Sequence, residues 1–253
     1  MEAITATIIT KNEQENIERC LISLQGVADE IIVIDSFSTD KTVEICEKYN
    51  CIVRQRRFAG FGVQKQYAVS LATNSYILSI DADETLDSDL REAIIKLKIN
   101  GLEKHHIYSF SVLNLYCGIP IKHCGWFPDT QVRLFDKRYA GWNLRDVKES
   151  VVYPKSLRVN LIDGYLFHYR CATPEEYVSK MNKIAQIDAS ILRADNNHGN
   201  IFKPRIMWLK TFIKYYIIKK GMIDGKAGRE ISIANANAEY LKYQQARKRD
   251  IME

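Results

Sequence analysis

Apolar and polar positions come in alternating short blocks along the first ninety residues. ITATIIT (4–10) is a β-branched apolar run closed by the polar KNEQEN, which predicts a buried strand and then a turn. Ile17, Cys20, Leu21 and Leu24 follow at helical spacing, with Asn12 able to cap that helix and Gly26 ending it. EIIVID (30–35) predicts a second buried strand, Thr42 to Tyr49 a helix, and CIVRQR (51–56) a short third strand. A Gly-bearing loop from Phe58 to Gly62 leads to a helix over Val63 to Ala72. Tyr76 to Ile80 is a fourth apolar run.

Strand and helix alternating at this spacing predict parallel βαβ units, an α/β fold whose open sheet is covered on both faces. Ligands of such sheets bind beyond the carboxyl ends of the strands. Thr10-Lys11-Asn12-Glu13, Asp35-Ser36, Arg56-Arg57 and Asp81-Ala82-Asp83 all fall at those ends, so the topology gathers acidic, amide and basic groups onto one rim.

The pattern then changes. A helix over Leu90 to Ile99 leads to a solvated turn at His105-His106, and strands are expected at 107–115, 131–137 and 157–169, joined by aromatic loops. From Pro174 to Leu192 the spacing is helical, with Tyr177, Met181, Ile184, Ile187 and Ile191 on one side. Residues 201–220 carry six Lys or Arg, no acid and many aromatic and aliphatic side chains. A helix of that composition suits an anionic membrane surface, with its aromatics at headgroup level. Gly221 to Gly228 interrupts it, and a helical tail runs over Glu230 to Asp250. These divisions imply a first domain over 1–172, in two halves (1–90 and 91–172), and a helical region over 173–253.

Bulk composition narrows the class. A chain of 253 residues, 46% apolar and 26% charged, can bury one large core with an appendage. The six cysteines are scattered without a C-x-x-C pair, which reads as reduced thiols. No basic segment followed by an apolar one opens the sequence, and no stretch approaches the ~18 apolar residues of a membrane span. The expectation is a cytoplasmic protein, peripheral on the inner face of the membrane. The net charge of +5 is mild, and the basic residues concentrate in 201–220 while the strand-end rim is acidic. A nucleic-acid-binding face is therefore not expected.

The chemistry-bearing stretch is Ser79-Ile80-Asp81-Ala82-Asp83-Glu84. In an extended strand Asp81 and Asp83 share a face, and two hard oxygen ligands there suit Mg²⁺ or Mn²⁺ carrying a substrate phosphate. His168, ending a late strand beside Tyr169-Arg170, is a candidate third ligand. A reaction at a diphosphate-linked substrate also needs a base for the incoming hydroxyl. Glu149 leads, with Asp146 as the alternative. The sequence contains neither a G-x-x-x-x-G-K-[ST] loop nor a G-x-G-x-x-G after the first strand, which argues against kinases and dinucleotide oxidoreductases.

Taken together, TATIITKNEQENIERCLISL, EIIVIDSFSTDKT, AGFGVQKQYA and YILSIDADE, in this order and spacing, resemble the family 2 glycosyltransferases of the GT-A fold over about residues 4–90. GWFPDTQVRLF, WNLRDVKESV, GYLFHY and EEYVSKMNK resemble, more narrowly, the lipopolysaccharide core enzymes that add glucose to inner-core heptose. The resemblance implies a GT-A domain with a mixed sheet and a helical C-terminal appendage. It implies that Thr10, Asn12 and Glu13 hold the base and ribose of a nucleotide sugar, with Asp35 and Ser36 on the same nucleoside. Lys65 would approach the diphosphate or donor sugar, Asp81 the ribose or metal, Asp83 and His168 the metal, and Glu149 would be the base of an inverting transfer. Trp126 to Asp129 and Arg133 would shape the acceptor side. Related sequences have His before that glutamate, where this chain has Lys148.

The activity implied is metal-dependent transfer of a hexose to a lipid-linked glycan, with UDP-glucose the first donor to test among UDP-galactose, UDP-N-acetylhexosamines and GDP-mannose. A sugar nucleotidyltransferase would place a Gly-rich, Arg- and Lys-bearing loop where Thr10-Lys11-Asn12-Glu13 stands. A catalytically silent binding protein would not need Asp81, Asp83 and Glu149 together. Other polyprenyl-linked or surface-polysaccharide acceptors remain alternatives.

Overall fold

The computed structural model describes residues 2–103, 105–145, 149–194 and 200–247. In chain order the elements are β1 (Ile4–Thr10), α1 (Ile17–Leu24), β2 (Glu30–Asp35), α2 (Thr42–Lys48), β3 (Ile52–Gln55), α3 (Phe61–Leu71), β4 (Tyr76–Asp81), β5 (Glu84–Leu86), α4 (Ser88–Asn100), β6 (His106–Tyr116), β7 (Ile119–Pro120), β8 (Thr130–Asp136), β9 (Gly141–Trp142), β10 (Val151–Val152), β11 (Arg158–Cys171), α5 (Pro174–Ala194), α6 (Lys203–Ile213) and α7 (Gly225–Ala246). The contacts divide into two compact units. One comprises Met1–Val112 with Asp129–His168, the other Leu113–Pro128 with Tyr169–Glu253.

In the first unit the sheet runs β3-β2-β1-β4-β8-β6-β11-β5. The first four strands are parallel, and β8, β6 and β5 pair antiparallel. The parallel strands bury both faces because consecutive side chains point to opposite sides. On one side Ile4, Ala6 and Ile8 of β1, Val33 of β2, and Leu78 and Ile80 of β4 pack on Ile17, Cys20, Leu21 and Leu24 of α1 and on Leu90 and Ile94 of α4. On the other, Ile32, Ile34 and Ile77 pack on Ala68 and Val69 of α3, with Phe135, Trp142 and Val151. A one-residue slip would exchange the two sets.

Several local expectations are corrected. Helix α1 begins at Ile17, with Asn16 and not Asn12 before it. Asn12 instead takes a left-handed backbone, φ 55°, and ties two loops together through Ser38 Oγ to its N–H, 2.8 Å, and its Oδ1 to the Thr39 N–H, 2.8 Å. His106 opens β6 and does not lie in a solvated turn. β4 ends at Asp81, and the chain turns through 82–83 before β5. Strand alternation therefore does not set the direction of Asp83.

In the second unit α7 packs along α5 and α6, over a small core of Tyr116, Ile121, Cys124, Cys171, Tyr177, Ala227 and Ile231. The segment 113–128 groups with these helices. The run 201–220 is α6 followed by a π-helical stretch at Lys214–Ile218, and α7 starts at Gly225, earlier than expected. Trp208, Phe212 and Tyr216 stack one turn apart, and Trp208 Nε1 donates to Asn237 Oδ1 of α7 at 2.8 Å. Trp208 is thus tied to a neighbouring helix by its indole N–H while its ring stays half-buried. The exposed row is apolar: Phe202, Ile206, Leu209, Ile213 and Ile217 are each more than a third exposed. No described helix is long and apolar enough to cross a membrane.

Candidate active site

At the carboxyl ends of β1, β2 and β4, the first unit holds a cavity of about 480 Å³ lined by Ile9, Thr10, Lys11, Glu13, Ser36, Phe58, Phe61, Lys65, Asp81, Ala82, Asp83, Glu149 and His168. That size suits a ligand of drug or cofactor dimensions. Eight of the residues expected to act are brought together here: Thr10, Glu13, Ser36, Lys65, Asp81, Asp83, Glu149 and His168. They come from six separate segments of the chain, which is the convergence that the strand-end rule anticipates.

Lys65 is the centre of the arrangement. It projects from the second turn of α3, is 5% exposed, and its Nζ lies 3.0 and 3.1 Å from the two carboxylate oxygens of Asp81. The same Nζ donates to Glu149 Oε1 at 3.2 Å and stands 4.6 Å from the centroid of the Trp142 ring. A desolvated ammonium with two carboxylates and an aromatic face is held, not mobile. Asp81 in turn is pushed up by burial but pulled further down by Lys65 and Arg133, so its carboxyl sits well below the usual carboxylate range. It is ionised throughout the physiological range.

Beneath Asp81 lies a buried pair that sequence reasoning assigned elsewhere or passed over. Arg133, expected on the acceptor side, is 2% exposed. Its Nη2 donates to Glu84 Oε1 at 2.6 Å and lies 3.5 Å from Asp81 Oδ2. Glu84 accepts the Asp81 N–H at 2.9 Å through its other oxygen. Burial drives Glu84 up, against the pull of Arg133 and with the push of Asp81, to about 7. Arg133 cannot reach an acceptor from here; it braces the acidic turn. The missed signal was a charged residue inside the apolar run QVRLF, which demands a buried partner.

Asp83 and His168 face one another across the cavity wall, Oδ2 to Nε2 3.3 Å. β11 and β5 pair in antiparallel register, placing His168 opposite Glu84, next to Asp83 in the chain. A carboxylate and an imidazole suit a divalent cation such as Mn²⁺, with Mg²⁺ favouring the oxygen alone. No group of three or more His, Cys, Asp or Glu among the described residues is arranged to hold a metal.

The remaining candidates lie off the cavity wall. Asp35 is fully buried and fastens the loop after β2, accepting from the Ser38 N–H at 3.0 Å and the Ser38 hydroxyl. Asn12 braces the same loop, as described. Asp129 accepts from Gln131 Nε2 at 3.1 Å. Trp126 belongs to the second unit, 5.7 Å from the Tyr177 ring centroid and 5.1 Å from the Arg170 guanidinium. Asp146 lies outside the described residues.

Comparison with known proteins bears on this geometry. The family model described as glycosyl transferase family 2 matches residues 5–104, the stretch that supplies β1 to α4 and the acidic turn. Residues 5–104 form a family 2 glycosyltransferase domain. The chain is also similar along its length to glycosyltransferases. It is 28% identical over 257 residues to an uncharacterised glycosyltransferase of Rickettsia typhi, covering 96% of this chain and 86% of that one. It is 26% identical over 262 residues to the lipopolysaccharide core biosynthesis glycosyltransferase LpsC of Rhizobium meliloti, covering 95% and 93%. Among solved structures, S. aureus TarS 1–349 in complex with UDP-GlcNAc aligns over 96% of this chain and 89% of its own, at 14% identity and a TM-score of 0.44. By the family model and the relatives that match along its length, the chain is a glycosyltransferase, with a lipopolysaccharide core enzyme among those relatives.

Proposed function

We propose that this glycosyltransferase inverts configuration, works with a divalent cation, and moves a hexose from a nucleotide sugar to a hydroxyl of a lipid-linked glycan. The observation that carries the reading is one cavity holding Glu149, the Asp81–Lys65 pair and the facing Asp83 and His168. A carboxylate of the cavity wall, oriented by Lys65 and set in the same cavity as Asp83 and His168, is what an inverting transfer asks of its base.

In this reading Thr10, Glu13 and Ser36, at the ends of β1 and β2, receive the nucleoside. Lys65 neutralises diphosphate charge and fixes Glu149 through a shared Nζ. Asp83 and His168 hold the cation, which when bound would offset the charge on the departing nucleoside diphosphate. Glu149 takes the proton of the acceptor hydroxyl as that oxygen attacks the anomeric carbon. UDP-glucose is the donor proposed first, and an inner-core lipopolysaccharide heptose the acceptor proposed first, supported by the likeness to LpsC.

We further place the enzyme at the inner surface of the cytoplasmic membrane. The apolar row Phe202, Ile206, Leu209, Ile213 and Ile217 is flanked at helical spacing by Arg205 on one side and Lys203, Lys210 and Lys214 on the other, the pattern of a helix lying in an anionic interface.

The test is release of nucleoside diphosphate from UDP- and GDP-sugars, with Mn²⁺ or Mg²⁺ and with EDTA, on wild type and Asp83→Ala. Turnover of one donor, abolished by EDTA and reduced at least ~100-fold in the variant, supports the reading. Turnover that survives both would remove the cation from it.

A further inference from the structure

Two of the cavity-wall residues to which the function above gives no role, Phe58 and Phe61, are aromatic. Phe58 and Phe61 are 50% and 48% exposed, yet they line the same cavity as the catalytic carboxylates. Their rings meet edge to face, 4.9 Å between centroids at 74°, so each keeps a phenyl surface free for a ligand. Two half-exposed phenylalanines beside buried charges have no evident packing purpose. A site of polar anchors with an aromatic wall is how proteins take ligands that have one wet edge and one apolar face.

Their place along the cavity says which part of the substrate they meet. Phe61 opens α3, and Lys65 follows four residues later on the same helix face; its Nζ is bound to Glu149. The next residue, Gly62, is pinned to the chain that leads to that glutamate. Its N–H donates to Arg145 O at 3.2 Å, and a Cβ there would stand 2.0 Å from Asn143 O. The backbone approach that only glycine permits therefore couples the aromatic pair to the loop carrying the base. Thr10, Glu13 and Ser36 stand at or just beyond the ends of β1 and β2, with Gln64 Nε2 of α3 donating to Ser36 Oγ at 3.3 Å.

We propose that Phe58 and Phe61 form the acceptor subsite, a platform on which the apolar C–H face of the acceptor pyranose stacks while its hydroxyl reaches Glu149. The assignment rests on the reading of Glu149 as the base. The platform supplies orientation with little demand on which hydroxyls the sugar carries, and specificity is left to the polar groups around it.

The experiment uses the full chain as Phe58→Leu, Phe61→Leu, the double variant and the rescue Phe61→Tyr, with two probes. UDP with Mn²⁺ is titrated calorimetrically. Lipopolysaccharide with a bare heptose inner core is titrated as acceptor at saturating UDP-glucose. The expected result is an acceptor KM raised about tenfold or more in the double variant, UDP affinity within about twofold, and recovery by Phe61→Tyr. Weakened UDP binding with acceptor KM unchanged would move the rings to the nucleobase and overturn the proposal. No change in either would also overturn it. Saturation-transfer NMR from the aromatic resonances to methyl heptoside, in the presence of UDP and Mn²⁺, decides the matter without turnover. Transfer seen in wild type and lost in the double variant supports the platform, and no transfer in wild type refutes it. Failure of the functional reading looks different: wild type releases nucleoside diphosphate from no donor.

Discussion

The two units of this protein use the same charged side chains in opposite ways. In the first, Arg133, Glu84, Asp81, Lys65 and Glu149 form a continuous ladder of contacts between 2.6 and 3.5 Å, with Arg133 and Glu84 almost wholly buried. In the second, the basic residues of 201–220 flank an exposed apolar row. A charge taken out of water must have a fixed partner and so becomes a positioning device. A charge left in water is screened within about 8–10 Å and acts as part of a field. The comparison predicts that single substitutions will be severe in the ladder and slight, for stability, on the helix.

The largest effect should come from Arg133→Met. It leaves Glu84 and Asp81 facing one another without their common cation, and loss of one partner of a buried pair costs about 3–5 kcal/mol. In a chain this long that is a fall in Tm of roughly 10 °C, and donor turnover should fall with it because Asp81 loses its brace. Arg133→Lys should recover only part, since a point charge does not reproduce the planar fork. A Met variant within 1 kcal/mol of wild type in denaturant unfolding would show that the ladder is not what holds the acidic turn.

A smaller effect is expected from pH. Glu84 is raised from the ordinary carboxylate value to about 7, so the folded protein holds that proton more tightly than the unfolded chain. The stability this gives is complete below about 4.5 and is lost as pH rises through about 7. Glu84→Gln cannot titrate. Relative to it, wild type should lose about 3 kcal/mol between pH 4.5 and 7.5, at about 1.4 kcal/mol per pKa unit. A difference that stays flat over this window would show that burial does not raise Glu84.

Which of these features the sequence discloses follows from what each depends on. The parallel strands and their carboxyl-end loops were legible because β-branched apolar runs bounded by polar turns have few other ways to fold, and β1, β2 and β4 lie within a residue of their expected bounds. Thr10, Glu13, Ser36, Lys65, Asp81, Asp83, Glu149 and His168 reach one cavity because topology delivers them there. Direction was not legible. Asp35 and Asn12 have the right chemistry at the right strand ends, yet both turn to brace the loop after β2. Arg133 has an acceptor-like position in sequence and points into the protein. Phe58 and Phe61 fall in a stretch that the sequence marks only as a Gly-bearing loop, because nothing local reveals that Gly62 docks against the chain at Asn143 and Arg145.

The smallest change in folding free energy, and the sharpest test of the contrast, is Lys210→Ala with Lys214→Ala. Both lysines are exposed and neither belongs to the ladder, so unfolding should shift by less than about 0.5 kcal/mol. Binding to vesicles of mixed phosphatidylcholine and phosphatidylglycerol should nonetheless weaken by about 1 kcal/mol per lysine, roughly thirtyfold in all. The loss should shrink at 0.5 M salt, where the Debye length contracts. Ile206→Asn with Leu209→Asn should reduce binding to the same vesicles with little salt dependence, because it removes buried apolar area and not charge. If the lysine pair binds neutral and anionic vesicles as wild type does, the basic flank is only a solvated face. The membrane contact would then have to come from elsewhere in the chain.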